Sequence, residues 1–272
     1  MVFDRALVLP VLALLSCREP APSAAMRGTG APMRSPREPA RTAGEGAASV
    51  AAPLVAAGPS AYVEESVGPA PGPRGPVVVV AIHGLGDSPE HFLGWLRGMP
   101  VSARVISMRG SERYGPGFAW WRPSADERQT AEAIDRAAVT VRERAAPALA
   151  APRCGRPIVL GFSQGAMVSF ALAARGTLDA ALVIPIGGRL PLENRGVTRS
   201  AGQRPLVRAM HGAVDARMPL SAAQSTVSAL ERQGMDATVR GFPGVGHEIT
   251  DALRRAVFDE IARAARAMGC AP

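Results

Sequence analysis

Beyond residue 76 the apolar positions fall into short continuous runs, set apart by longer amphipathic stretches. Val77-Val78-Val79-Val80-Ala81-Ile82 is the sharpest run. It predicts a strand covered on both faces, because the apolar/polar alternation of a half-exposed strand is missing. Residues 103–108, 157–162, 180–186, 205–210 and 236–242 predict further strands, and Tyr62–Val67 suits an extra edge strand. The stretch 124–150 predicts a long helix: Ile134, Ala138, Val141 and Ala145 share one face at helical spacing, and Ser124 with Glu127 has the form of a capping box. Helices are also expected over 164–175, 219–233 and 248–268, with Gly234 just past a helix end, where a left-handed residue is favoured. Strands alternating with helices predict an α/β fold. Its central sheet is mostly parallel, helices cover both faces, and ligands bind at the carboxyl ends of the strands.

The first sixty residues follow another pattern. Arg5 precedes an apolar stretch, Ala6 to Leu15, that is too short to cross a bilayer as a helix. It ends Leu14-Leu15-Ser16-Cys17, which resembles a bacterial lipobox, so Cys17 is the expected lipidation site. Several acyl chains on one cysteine give a stable anchor, at about 0.8 kcal/mol per buried CH₂. Arg18, not Asp, follows the cysteine, which favours the outer membrane. An ordinary signal peptide with a chance cysteine is the alternative. Residues 18–60 are rich in Ala, Pro, Gly, Arg and Ser without periodicity, and bury too little apolar surface to offset their ordering entropy. The expected organisation is a signal segment (1–17), a disordered tether (18–60) and a folded domain (61–272). The protein is then an exported lipoprotein, held to the membrane through its lipid alone.

Composition narrows the partners. The net charge of +8 suggests an anionic partner, yet all 31 basic residues are arginine, scattered without a basic run or interleaved aromatics. Nucleic acid is therefore not an expected partner. The four histidines, His83, His91, His211 and His247, show no metal-ligand spacing and no CxxC occurs, so no metal site is expected. Cys154 lies just before a strand and Cys270 at the end of the last helix, both at the amino ends of the strands. In an oxidising compartment they are expected to pair, two free thiols being the alternative.

The chemistry gathers at the strand ends. Gly161-Phe162-Ser163-Gln164-Gly165 follows a predicted strand and opens a predicted helix, the context of a G-x-S-x-G nucleophile elbow. Small residues two positions to either side let the serine sit on a strained turn, and the helix N-terminus favours negative charge beside it. Strand 205–210 leads into His211-Gly212-Ala213-Val214-Asp215, and strand 236–242 into Pro243-Gly244-Val245-Gly246-His247-Glu248. The chain order Ser163, Asp215, His247 assigns nucleophile, orienting acid and general base. The oxyanion donors are expected to be the backbone N–H groups of Gln164 and of Leu85, in His83-Gly84-Leu85-Gly86-Asp87. His83 and His211 suit structural hydrogen bonds, His91 the exposed start of a helix, and Glu248 a loop-positioning role.

These stretches, with Pro219, together resemble the phospholipase/carboxylesterase group of α/β-hydrolases that includes acyl-protein thioesterases and small bacterial carboxylesterases. The likeness spans about residues 77–250 and implies hydrolysis of carboxylic esters or thioesters without a cofactor. Where the family often has Ser-Trp-Phe-Asp, this chain reads Phe118-Ala119-Trp120-Trp121-Arg122. Trp121 and Trp120 are expected to line the substrate pocket, with core packing as the alternative, and Arg122 in place of an acid unsettles any carried-over preference. The short connection between strands 180–186 and 205–210 leaves no room for a large cap domain and suggests an open cleft. The expected partner is a small-molecule ester or thioester, with no obligate protein partner. A secreted depolymerase- or feruloyl-type esterase is an alternative reading, and a non-catalytic binding lipoprotein on a hydrolase scaffold is another.

Overall fold

The computed structural model describes residues 60–191, 196 and 203–270. Cys17, the signal segment and the tether as far as residue 59 lie outside them. In chain order the elements begin with β1 (Tyr62–Val67), β2 (Val77–Ile82), α1 (Pro89–Leu96), β3 (Ala103–Met108), β4 (Glu112–Tyr114), β5 (Gly117–Ala119) and α2 (Glu127–Leu149). They continue with β6 (Ile158–Phe162), α3 (Gln164–Arg175), β7 (Leu182–Ile186), β8 (Leu206–Gly212), α4 (Leu220–Arg232), β9 (Ala237–Phe242) and α5 (Asp251–Ala267).

Seven strands form one sheet in the order β1-β3-β2-β6-β7-β8-β9. All neighbours are parallel except β1, which pairs antiparallel with β3 at the edge. From β2 the chain steps outward to β3, then crosses back to add β6 on β2's other side. That reversal opens a crevice beyond the carboxyl ends of β2 and β6, where ligands of open α/β sheets bind. Helices α1 and α5 cover one face, over a core that includes Leu96, Val79, Ile184 and Ile261. Helices α2, α3 and α4 cover the other, over Val80, Ile134, Phe170 and Leu230. Every residue of β2 is buried, as its unbroken apolar run requires.

Three local readings change. Helix α2 starts at Glu127, and its cap is Asp126, whose carboxylate accepts from the N–H groups of Arg128 (2.9 Å) and Gln129 (3.1 Å). A carboxylate satisfying two orphan amide N–H groups outcompetes the Ser124–Glu127 box. The Ser124 hydroxyl instead accepts from Asp126 N–H at 3.1 Å. Helix α5 starts at Asp251, because the Thr250 hydroxyl accepts from Leu253 N–H and caps it there, leaving 248–250 as loop. The β4–β5 hairpin has no counterpart in the sequence reading. It is tied to the loop after β2 by two backbone bonds, Gly86 N–H to Phe118 O and Phe118 N–H to Asp87 O, each 2.8 Å.

Cys154 and Cys270 are joined by a disulfide, their Cα atoms 5.6 Å apart. Residues 187–205 connect β7 to β8, and 192–195 and 197–202 of that connection are outside the described residues. Among the described residues no helix is long and apolar enough to cross a membrane.

Candidate active site

Ser163 stands between the end of β6 and the first turn of α3, with φ 56° and ψ −115°. Among the described residues it is the one non-glycine with positive φ. Such a backbone costs about 1–3 kcal/mol and persists only where its surroundings impose it. Here they do. A Cβ on Gly161 would lie 2.2 Å from Gly165 O, and a Cβ on Gly165 would lie 1.9 Å from Ile82 O. The two glycines thus let the start of α3 press against the end of β2. Ser163 N–H is bound to Ile186 O at 2.9 Å, which ties the turn to β7.

The loop after β9 brings His247 to Ser163, with Nε2 2.9 Å from Oγ. The loop after β8 brings Asp215 to the other side of the ring, with Nδ1 2.7 Å from Oδ2. Asp215 is buried, and its Oδ1 accepts from Arg217 N–H and Met218 N–H, both at 2.9 Å. Burial pushes the Asp215 carboxyl up, but the bonds from Met218 N–H, His247 and Arg217 N–H outweigh it, and the net result lies below the ordinary carboxylate value. An ionised Asp215 accepts from Nδ1–H, which leaves Nε2 as the acceptor facing the Ser163 hydroxyl. Residues 163, 215 and 247 come from three separate loops at one sheet edge and form a single hydrogen-bonded line.

The other histidines lie outside this line. Buried His83 joins the ends of β2 and β3: Gly110 N–H donates to Nε2 at 3.1 Å, and Nδ1–H donates to Gly84 O at 2.7 Å. Burial lowers its pKa, which keeps the ring neutral in this role. His211 Nε2–H donates to Met218 O at 2.6 Å and lies 3.5 Å from Asp215 Oδ2, so it braces the same turn that presents the acid. His91 sits in the first turn of α1, exposed, with Nδ1 2.8 Å from Asp87 Oδ1. Glu248 is exposed.

A cleft of about 390 Å³ opens over Ser163, Gln164 and His247. Leu85 and Trp121 line it, together with Met167, Met218 and Arg217. Trp120 does not line it. Its indole N–H donates to His83 O at 2.9 Å and its ring packs 5.4 Å from the His83 ring, so it supports the loop that carries Leu85. Arg122 faces away, paired with Glu112 at 3.3 Å. The sequence reading also missed the Gln164 side chain. Its amide accepts from Trp120 N–H (3.1 Å) and donates to Trp121 O (2.9 Å), strapping the Trp pair to the elbow. A long amide directly after the serine, at a buried helix start, is the signal for such a strap.

A family model described as Phospholipase/Carboxylesterase matches residues 67–262. The chain belongs to the phospholipase/carboxylesterase family. Family membership makes it an ester-hydrolysing enzyme of the α/β-hydrolase fold, and a small-molecule ester is the class of substrate it implies. Solved structures repeat the architecture at low identity. Esterase PE8 has a TM-score of 0.62 at 20% identity, over 74% of this chain and 99% of that one. The Bacillus cereus carboxylesterase has 0.60 at 17%, over 75% and 93%. Acyl-protein thioesterase 2 of Zea mays has 0.55 at 19%, over 74% and 98%. No curated protein matches the sequence.

Proposed function

We propose that this family member hydrolyses carboxylic esters or thioesters through an acyl-Ser163 intermediate. The observation that carries the reading is the His247 ring, held between Asp215 (2.7 Å) and the Ser163 hydroxyl (2.9 Å). His247 Nε2 takes the Oγ proton as Oγ attacks the substrate carbonyl. The oxyanion forms at the N-terminus of α3, where Gln164 N–H and Leu85 N–H are the proposed donors. The tetrahedral species collapses, the bond to the leaving group breaks, and His247 returns the proton to it. Water then repeats the sequence and frees the acid.

An ester panel, with wild type and Ser163→Ala side by side, tests the reading. Serine catalysis predicts a loss of roughly 10⁴ to 10⁶ in turnover. Turnover that survives the change refutes it, and wild type inert on every ester and thioester would favour a binding role on a hydrolase scaffold. The anchor is a separate proposal, supported by the lipobox-like Leu14-Leu15-Ser16-Cys17. Palmitate labelling that disappears in Cys17→Ser is its expected outcome, and an unlabelled wild-type product contradicts it.

A further inference from the structure

Beside the cleft lies a second pocket of about 240 Å³, lined by Asp87, His91, Phe92, Trp95, Phe162 and Ile249. It shares Phe162 and Asp87 with the cleft over Ser163. We propose that this pocket is the leaving-group subsite and takes a single aromatic ring on the alcohol side of the ester. The proposal rests on the acyl-Ser163 reading above.

Its position sets which half of the substrate enters. His247 Nε2 must deliver its proton to the departing oxygen, so the alcohol portion leaves along the flank of His247. Two walls of the pocket belong to that flank. The Phe162 ring lies 5.0 Å from the His247 ring, and Ile249 follows His247 by two residues. Leu85, Gln164, Trp121 and Met167, with His247 itself, line the cleft over Ser163 and not this pocket, and the proposal gives that lobe to the acyl portion. In the acylation step the Ser163 Oγ–carbonyl bond forms and the carbonyl–alkoxy bond breaks. The Oγ proton passes through His247 to the alkoxy oxygen, and the alcohol departs into the pocket.

Its chemistry sets what fits. Phe92 and Trp95 are three residues apart and share one face of α1. Their rings stack at 6.1 Å with an interplanar angle of 5°, and Trp95 is backed by Phe258 at 6.1 Å. The Trp95 carbonyl is held by Arg254 Nε at 2.9 Å, so the helix end does not drift. Aromatic walls favour an aromatic guest at the 4.5–7 Å spacings of ring pairs. An apolar cavity of about 150 Å³ suffices for benzene, so this one has room for one ring and a short linker. The Asp87–His91 pair supplies a polar edge.

The test is a ratio. In wild type, kcat/KM for benzyl acetate should exceed that for ethyl acetate. Trp95→Ala should lower the benzyl-to-ethyl ratio by about tenfold, the order of discrimination an apolar pocket supplies, and Trp95→Phe should recover most of it. The ratio for methyl phenylacetate over methyl acetate, which varies only the acyl side, should not move. An unchanged benzyl-to-ethyl ratio, or a fall confined to the acyl series, overturns the proposal. Benzyl alcohol binding to the Ser163→Ala chain, followed by ligand-observed NMR, reads the pocket without turnover. Binding that is lost on adding Trp95→Ala supports the subsite; no binding refutes it, even if the acyl-serine reading stands. Conversely, full esterase activity in Ser163→Ala refutes the acyl-serine reading and leaves the binding result to judge the pocket.

Discussion

At the amino ends of the strands, Cys154 just before β6 is bonded to Cys270 just after α5, Arg156 pairs with Asp179, and Arg208 pairs with Asp236. At the carboxyl ends of the same strands, Ser163 holds a left-handed backbone that glycines must accommodate, and a buried carboxylate is kept ionised against a histidine ring. One edge is cross-linked and has little left to do chemically. The other stores strain and leaves a nucleophile facing a cleft. The seven-stranded sheet lies between them, so stability lost at one end is expected to leave the chemistry at the other unchanged.

That separation makes graded predictions. Ser163→Ala, at the strained edge, should cost roughly 10⁴ to 10⁶ in kcat and leave the thermal midpoint essentially where it was. Asp215→Asn should cost about 10⁴ in kcat, because an amide in that position favours the wrong His247 tautomer. At the other edge, Cys154→Ala with Cys270→Ala should lower unfolding free energy by about 2–5 kcal/mol in chemical denaturation while kcat at 25 °C holds. A matching loss of kcat would show that the two edges are coupled. Asp236→Asn removes an exposed ion pair and should cost less than about 1 kcal/mol.

Acid titration of stability sharpens the contrast further. His83 is buried, and its pKa is lowered from the usual 6.5. As pH falls below 6.5 the unfolded chain takes up a proton that the folded chain refuses, so stability declines until the folded value is passed. Asp215, lowered from the usual 3.8, adds stability that is present above pH 3.8 and lost as pH falls through its folded value. Denaturant midpoints measured from pH 7 down to about pH 2 should therefore fall in two stages. His83→Gln should remove the upper stage, and Asp215→Asn should shrink the lower, which the lowered carboxyls of Glu65, Glu90 and Asp236 share.

Much of this was readable from residue order. The bounds of β2, β3 and α3 match the sequence expectation to the residue, because a β-branched run, or a helix opened by an elbow and closed at Gly176, has sharp physical ends. The three loops that carry Ser163, Asp215 and His247 were legible because each follows a strand, and the parallel sheet sends all such loops to one edge. The β4–β5 hairpin was not, since strands of three residues show no usable period. The two tryptophans could not be told apart for a similar reason. Trp121 lines the cleft and Trp120 braces His83, and Gln164 holds the backbone of both through contacts 43 to 44 residues distant in sequence. Nothing in the sequence singles out the aromatic face of α1, because Phe92 and Trp95 sit beside Leu93 and Leu96, which are equally apolar.

The most direct measurement is an acid quench during turnover of p-nitrophenyl acetate, followed by peptide mass spectrometry. Acyl-serine catalysis predicts one acetyl group per chain, on the peptide containing Ser163, formed at the rate of the p-nitrophenol burst and absent in Ser163→Ala. A p-nitrophenol burst with no acetylated peptide, or with the acetyl group on another residue, would contradict it.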